Sequence, residues 1–208
     1  MKNRREYILA VVCIILAVLQ LSLILLSWLL NAANAGSMSI RSMLSPEGIR
    51  WFFGHFADNM ATPLLVWLIL IAIASGTVKD SGINKVLGKL FLHRSNILFR
   101  ERIALYFVAT ELIGCIVIML LLTVMPHAIL LSVNGELFPS SFSYSIIPVT
   151  AFVVVLLSVS YGLLSGTLGS IVSVFRSLVS GIARFNYVWF LYLLAMQLYC
   201  SIQFVFTL

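Results

Sequence analysis

From Tyr7 to Leu30 the chain runs for 24 residues without one charged side chain. A helix needs about 20 mainly apolar residues to cross a hydrocarbon layer about 30 Å thick. Four later stretches share this character: residues 63–78, 103–124, about 146–174, and 187–208. The stretch 63–78 is short but has an amphipathic lead, and 103–124 carries one glutamate. All are continuous apolar blocks, whereas spanning strands alternate lipid-facing and lumen-facing residues. Hydrocarbon offers the backbone no hydrogen bonds, so continuous blocks must satisfy their own N–H and C=O groups as helices. The expected fold class is an all-α polytopic membrane protein. Residues 1–208 form one membrane domain with five transmembrane helices, an outer interfacial amphipathic helix and a basic cytoplasmic helix.

Composition excludes the alternatives. Hydrophobic residues make up 62% of the chain and charged ones 10%, against roughly 25% charged in a soluble domain. So few charges cannot cover so much apolar surface in water. A soluble enzyme, a nucleic-acid-binding domain and a disordered chain are therefore ruled out, and the partner that composition requires is the lipid bilayer.

The net charge of +6 gathers on one side. Eleven Lys and Arg fall in the N-terminal tail and the second and fourth loops, against two, Arg41 and Arg50, on the other side. By the positive-inside rule the N-terminus is cytoplasmic and the C-terminus outside, the orientation of a multi-pass inner (plasma) membrane protein. Ala33-Asn34-Ala35 before Gly36 also fits a signal-peptide cleavage site, which would remove residues 1–35. The apolar run is longer than the ~7–15 residues of a signal, so the expectation is a retained span.

Between the spans, residues 45–60 read as an amphipathic helix. Ser45 suits the N-cap, Pro46 the first turn and Glu47 the positive helix end. Ile49, Phe52, Phe53, Phe56 and Met60 form one apolar stripe, and Trp51 is expected near the headgroups. In the second loop Ile83, Val86, Leu87, Leu90 and Phe91 repeat at helical spacing, with Lys85 and Lys89 on another face. These lysines are the charge that topology requires, and contact with anionic lipid follows from them. The third loop, Met125 to Ser145, has Pro126, Pro139 and an Asn134-Gly135 turn signal, and reads as an exposed outer connection.

Two features inside the spans are candidates for function. In the fourth span Ser158, Gly162, Gly166 and Ser170 repeat every four residues, and Ser165, Gly169, Ser173, Ser177 and Gly181 form a second row. Such rows let helices approach closely in lipid, and packing is the expected use. The alternative is a helix broken at Gly162 to Gly169 whose backbone lines a site. The other feature is Glu111, the only acidic residue within a span. An ionised side chain at mid-membrane costs about 2.5–3.5 kcal/mol, so Glu111 must be neutral, paired or facing water. At 1.5 Å per residue it lies about 12 Å into its span. On spans of the same direction Gln197 lies about 15 Å in and Gln20 about 20 Å in. Glu111, Gln197 and Gln20 thus form the candidate intramembrane polar site, as interhelical glue or as a proton or cation relay.

No catalytic constellation appears. The chain has no P-loop, no H-E-x-x-H and no G-x-S-x-G, and neither Asp nor His lies within a span. Cys13, Cys115 and Cys200 sit in apolar runs without metal-ligand spacing. The expectation is a protein that is not an enzyme, with no catalytic residue, cofactor or metal.

Residues Ile40-Arg41-Ser42-Met43-Leu44-Ser45-Pro46-Glu47-Gly48-Ile49-Arg50-Trp51 resemble a segment of the aminobenzoyl-glutamate transporter (AbgT) family. There S-L-L-S-x-E-G-L-x-W precedes an Asn-containing turn and a span. Asn59-Met60-Ala61-Thr62-Pro63 is similar to that turn, and the run from Ala74 to Gly82 to its Gly-rich close. The likeness covers about residues 7 to 90. It implies an inner-membrane transporter lineage that works as dimers on small organic anions, driven by proton or cation gradients. Family members are more than twice as long. This chain has no Asp after Asp80 and no S-N-x-A-x-D-A-G motif, so no family site residue carries over. Two functions follow as expectations. One is a small transport-related oligomer without the full transport core. The other is a non-transporting subunit or scaffold packed against a partner membrane protein.

Overall fold

A computed structural model describes residues 2–33, 40–91, 98–124 and 141–207. The outer connection expected after Met125 lies mostly outside these residues, as does most of the cleavage-like signature at 33–36. Among the described residues the chain forms nine helices and no strand. They are α1 (Lys2–Ala33), α2 (Pro46–Gly54), α3 (Phe56–Met60), α4 (Pro63–Ser81), α5 (Ile83–Phe91), α6 (Phe99–Val124), α7 (Ser141–Ser165), α8 (Ile171–Arg184) and α9 (Asn186–Phe206). Five of them, α1, α4, α6, α7 and α9, are long and apolar enough to cross a membrane. The chain is an all-α polytopic membrane protein, and large apolar side chains stay exposed along these helices.

The contacts divide the chain into two compact units. The first holds residues up to Leu65 and from Asn186 onward. In it α1 packs on α9, and the link from Ile40 to Ser45 is pinned against both helices. Arg41 N–H donates to the Val205 carbonyl at 3.0 Å, and Met43 N–H to Ser27 Oγ at 3.0 Å. Met43, Phe204 and Val205 form the local core, with Leu23, Ile24 and Phe52 packed on it.

The helix expected over 45–60 is two helices. Ser45 caps α2 as expected, its Oγ accepting from Gly48 N–H at 3.0 Å, but α2 stops at Gly54 and α3 starts after His55. Glycine is the weakest non-proline helix former, and here two glycines lie within nine residues. The apolar stripe divides with the break: Met60 is buried while Phe53 is 76% exposed. Trp51, expected at the headgroups, stacks on Phe204 with ring centroids 4.4 Å apart.

The second unit runs from Val66 to Phe185. Its core joins α5, α6 and α7 through Ile83, Val86, Ala104, Val108 and Tyr161. Ala104 and Val108 are one turn apart on α6, so a single stripe meets α7. The fourth span, expected to reach residue 174, ends at Ser165. Gly166 there has a φ of +83°, a left-handed conformation that glycine adopts without steric cost. Leu168 N–H donates to the Gly162 carbonyl at 2.9 Å, satisfying one of the helix's last acceptors. Ser170 then caps α8 in a reciprocal box with Ser173. The serines and glycines that read as a packing row therefore also carry the signals that stop one helix and start the next.

Candidate functional site

The three polar residues singled out in the spans fall into different units. Glu111 lies on α6, seven residues after Ala104 and three after Val108, hence on the stripe that faces α7. Its partner is Ser160 of α7, whose hydroxyl donates to Glu111 Oε1 at 3.1 Å. The other carboxyl oxygen, Oε2, is buried with no hydrogen-bond partner among the described residues. The expected Gln197 partner belongs to the first unit and bonds elsewhere. Depth compared only along spans of the same direction could not have found Ser160, because α7 follows α6 and runs back.

In the first unit a polar seam joins α1, α3 and α9. Gln20 Nε2 donates to Ser201 Oγ at 2.9 Å. Asn59 Nδ2 donates to Gln197 Oε1 at 3.5 Å. Gln197 and Ser201 are four residues apart on α9, so both turn to the same side, and both are buried. Tyr192, five residues before Gln197, completes the seam. Its hydroxyl donates to the Met60 carbonyl at 2.8 Å and lies 2.7 Å from Thr62 Oγ1. Tyr192 thus holds the turn between α3 and α4, where Pro63 provides no N–H. Gln20 Oε1 and Gln197 Nε2, an acceptor and a donor, are buried without partners among the described residues. Ser201, Asn59 and Tyr192 were missed from sequence. The signal for Ser201 was its one-turn spacing from Gln197 on a span whose depth matched Gln20.

Beside the seam Arg41, Trp51, Asn59, Gln203 and Phe204 line a cavity of about 350 Å³. The Arg41 guanidinium sits 5.7 Å from the centre of the Phe204 ring, a cation–π distance.

The packing residues behave unevenly. Ser158 is buried on α7, and Gly162 has the Leu168 side chain where its own Cβ would be. Gly166 and Ser170 form the turn and the cap described above. The closest approach of two helices comes from the second small-residue row. Gly181 of α8 lies against the Ala72 carbonyl and Gly76 of α4, and Gly76 against the backbone of Ser177 and Gly181. A Cβ at either glycine would overlap backbone atoms. At the end of this crossing Ser180 Oγ donates to Asp80 and Arg184 pairs with the same carboxylate, each at 2.5 Å. Thr167 Oγ1, in the turn after α7, donates to the Ser81 carbonyl at 2.8 Å and so secures the end of α4.

Comparison with models of known protein families, with curated proteins and with solved structures yields no match to this chain.

Proposed function

We propose that the chain is a transport-related protein of the inner (plasma) membrane, similar in its first half to the aminobenzoyl-glutamate transporter family and working as an oligomer. The observation that carries this reading is Glu111. One carboxyl oxygen takes the Ser160 hydroxyl, and the other is buried with no partner among the described residues. Intramembrane acids so placed mark ion and proton pathways. A carboxyl with one oxygen held and one bare can take up and release a proton or a cation without breaking its helix contact. Such a step would couple the movement of a small organic anion to a gradient. The cytoplasmic N-terminus and external C-terminus of this reading rest on the one-sided Lys and Arg distribution.

The test is flux. Purified protein in liposomes, with an acid exterior, should accumulate labelled aminobenzoyl-glutamate or a related aromatic carboxylate. Glu111→Gln should fold and lose gradient-driven accumulation. If no organic anion moves in either direction, the transport reading fails.

A second reading, a non-transporting subunit or scaffold, draws on α8. This helix buries its small residues Ser177 and Gly181 and turns Val172, Phe175 and Ile171, the last 88% exposed, outward. An outward apolar face on a helix of only 14 residues suits a partner membrane protein as well as lipid. Cysteine cross-linking from Phe175→Cys in native membranes, giving a heterologous product and no homodimer, would favour it.

A further inference from the structure

We propose that the groove between α5 and α6 is a binding site for one acidic phospholipid. The inference is independent of whether the chain transports. The groove has a volume of about 560 Å³, within the roughly 300–1,000 Å³ of small-molecule sites. Leu87 and Leu90 of α5 form one wall, and Leu105, Ala109 and Leu112 of α6 the other. Among the described residues Arg102 is the only charged side chain in its lining.

Three observations identify the occupant. The first is length. Arg102 and Leu112 are ten residues apart on one helix, which is about 15 Å. That is the depth of one leaflet of a hydrocarbon core about 30 Å thick. The groove therefore has a cationic mouth at one end and an apolar floor at the depth where acyl chains end. The second is the attitude of α5. At 100° per residue Lys85 lies opposite the stripe of Ile83, Val86, Leu87 and Leu90, and Lys89 lies on its flank, where it reaches Glu101. Ile83 and Val86 are buried in the protein, whereas Leu87 and Leu90 stay partly open on the groove side. A helix so divided lies in the interface, lysines towards the headgroups and leucines towards the chains.

The third observation is charge. The acidic side chains of this region are already taken: Glu101 by Lys89 at 3.3 Å, and Asp80 by Arg184. Among the described residues Arg102 forms no ion pair. A guanidinium at the mouth of an apolar slot lacks an anion, and a phosphodiester fits its donor geometry through two parallel N–H···O bonds. Basic pockets between membrane helices recognise acidic headgroups on this principle. The assigned pose places one acyl chain along Leu87, Leu105, Ala109 and Leu112, with the phosphate on Arg102.

The experiment is native mass spectrometry of the detergent-purified full chain, delipidated and then incubated with equal phosphatidylglycerol and phosphatidylcholine of matched chains. Wild type should retain one phosphatidylglycerol in about tenfold preference. Arg102→Gln should abolish the preference while leaving the circular dichroism spectrum unchanged. Ala109→Phe, which fills the floor, should reduce retention of both lipids. Should Ala109→Phe prove unfolded, Leu105→Phe serves the same purpose. Lys85→Gln, which removes a headgroup-facing cation outside the groove, should keep most of the phosphatidylglycerol preference. Equal retention of the two lipids by wild type, meaning ordinary solvation only, would overturn the site. So would a phosphatidylglycerol preference that survives Arg102→Gln or disappears in Lys85→Gln.

Discussion

The unit built on α1 and α9 and the unit built on α4 to α8 face one problem, since lipid is as apolar as the side chains it must release. They meet it by different means. The first is stitched by long polar side chains: Gln20 to Ser201, Asn59 to Gln197, and Tyr192 to Met60 and Thr62. The second brings backbones together, Gly76 and Gly181 letting α4 and α8 touch where any side chain would intervene. Stitching tolerates some variation in helix spacing, because side chains reach. Backbone contact does not, because a Cβ has nowhere to go. The first unit should therefore lose stability in small steps, and the second all at once.

The sharpest way to break that contrast is Gly181→Leu. The new side chain meets the Ala72 carbonyl and the Gly76 backbone, neither of which can swing aside. Overpacking of this kind costs about 3 kcal/mol. The variant should aggregate on size exclusion at a temperature where wild type is monodisperse, and a monodisperse Gly181→Leu would show the crossing to be dispensable. Tyr192→Phe comes next. It leaves the Met60 carbonyl and Thr62 hydroxyl without their phenol partner, at about 1–2 kcal/mol. A thermal shift in detergent measures it, and an unchanged midpoint would remove the turn lock from the first unit. Gln20→Leu is milder, because interhelical hydrogen bonds in membranes average about 0.6 kcal/mol. A loss as large as that of Gly181→Leu would erase the distinction between the units. Smallest is Glu111→Gln, which keeps an acceptor for Ser160. Its thermal midpoint should match wild type, and a large fall would make Glu111 a structural strut like the first unit's glutamines.

The spans were legible because each is a long apolar run and lipid accepts little else. Gln20 was legible in depth: the arithmetic put it within a turn of Gln197, and its partner Ser201 is one turn beyond that residue. Ser160 was not legible as the partner of Glu111, since serines recur along α7 and a hydroxyl announces no direction. The end of α7 was legible only as the alternative of a helix broken at Gly162 to Gly169. Glycines and serines every fourth residue suit both close packing and termination. Only the left-handed φ at Gly166 and the Ser170 cap decide for a turn. The split of α2 from α3 depends on Gly54 and His55, which an amphipathic pattern spanning both could not expose.

The crossing of Gly76 with Gly181 also sets a clock. The two glycines are 105 positions apart, and a ribosome adds about 5–20 residues per second. After α4 is made, roughly 5–20 seconds pass before the segment that covers its glycine face exists. Asp80 waits as long for Arg184. During synthesis this face is a bare, close-approach surface, open to insertion machinery or to a neighbouring nascent helix. An Asp80→Leu chain would cross that interval without a waiting carboxylate, and pulse-chase protease protection would read the difference in the rate at which α4 becomes shielded.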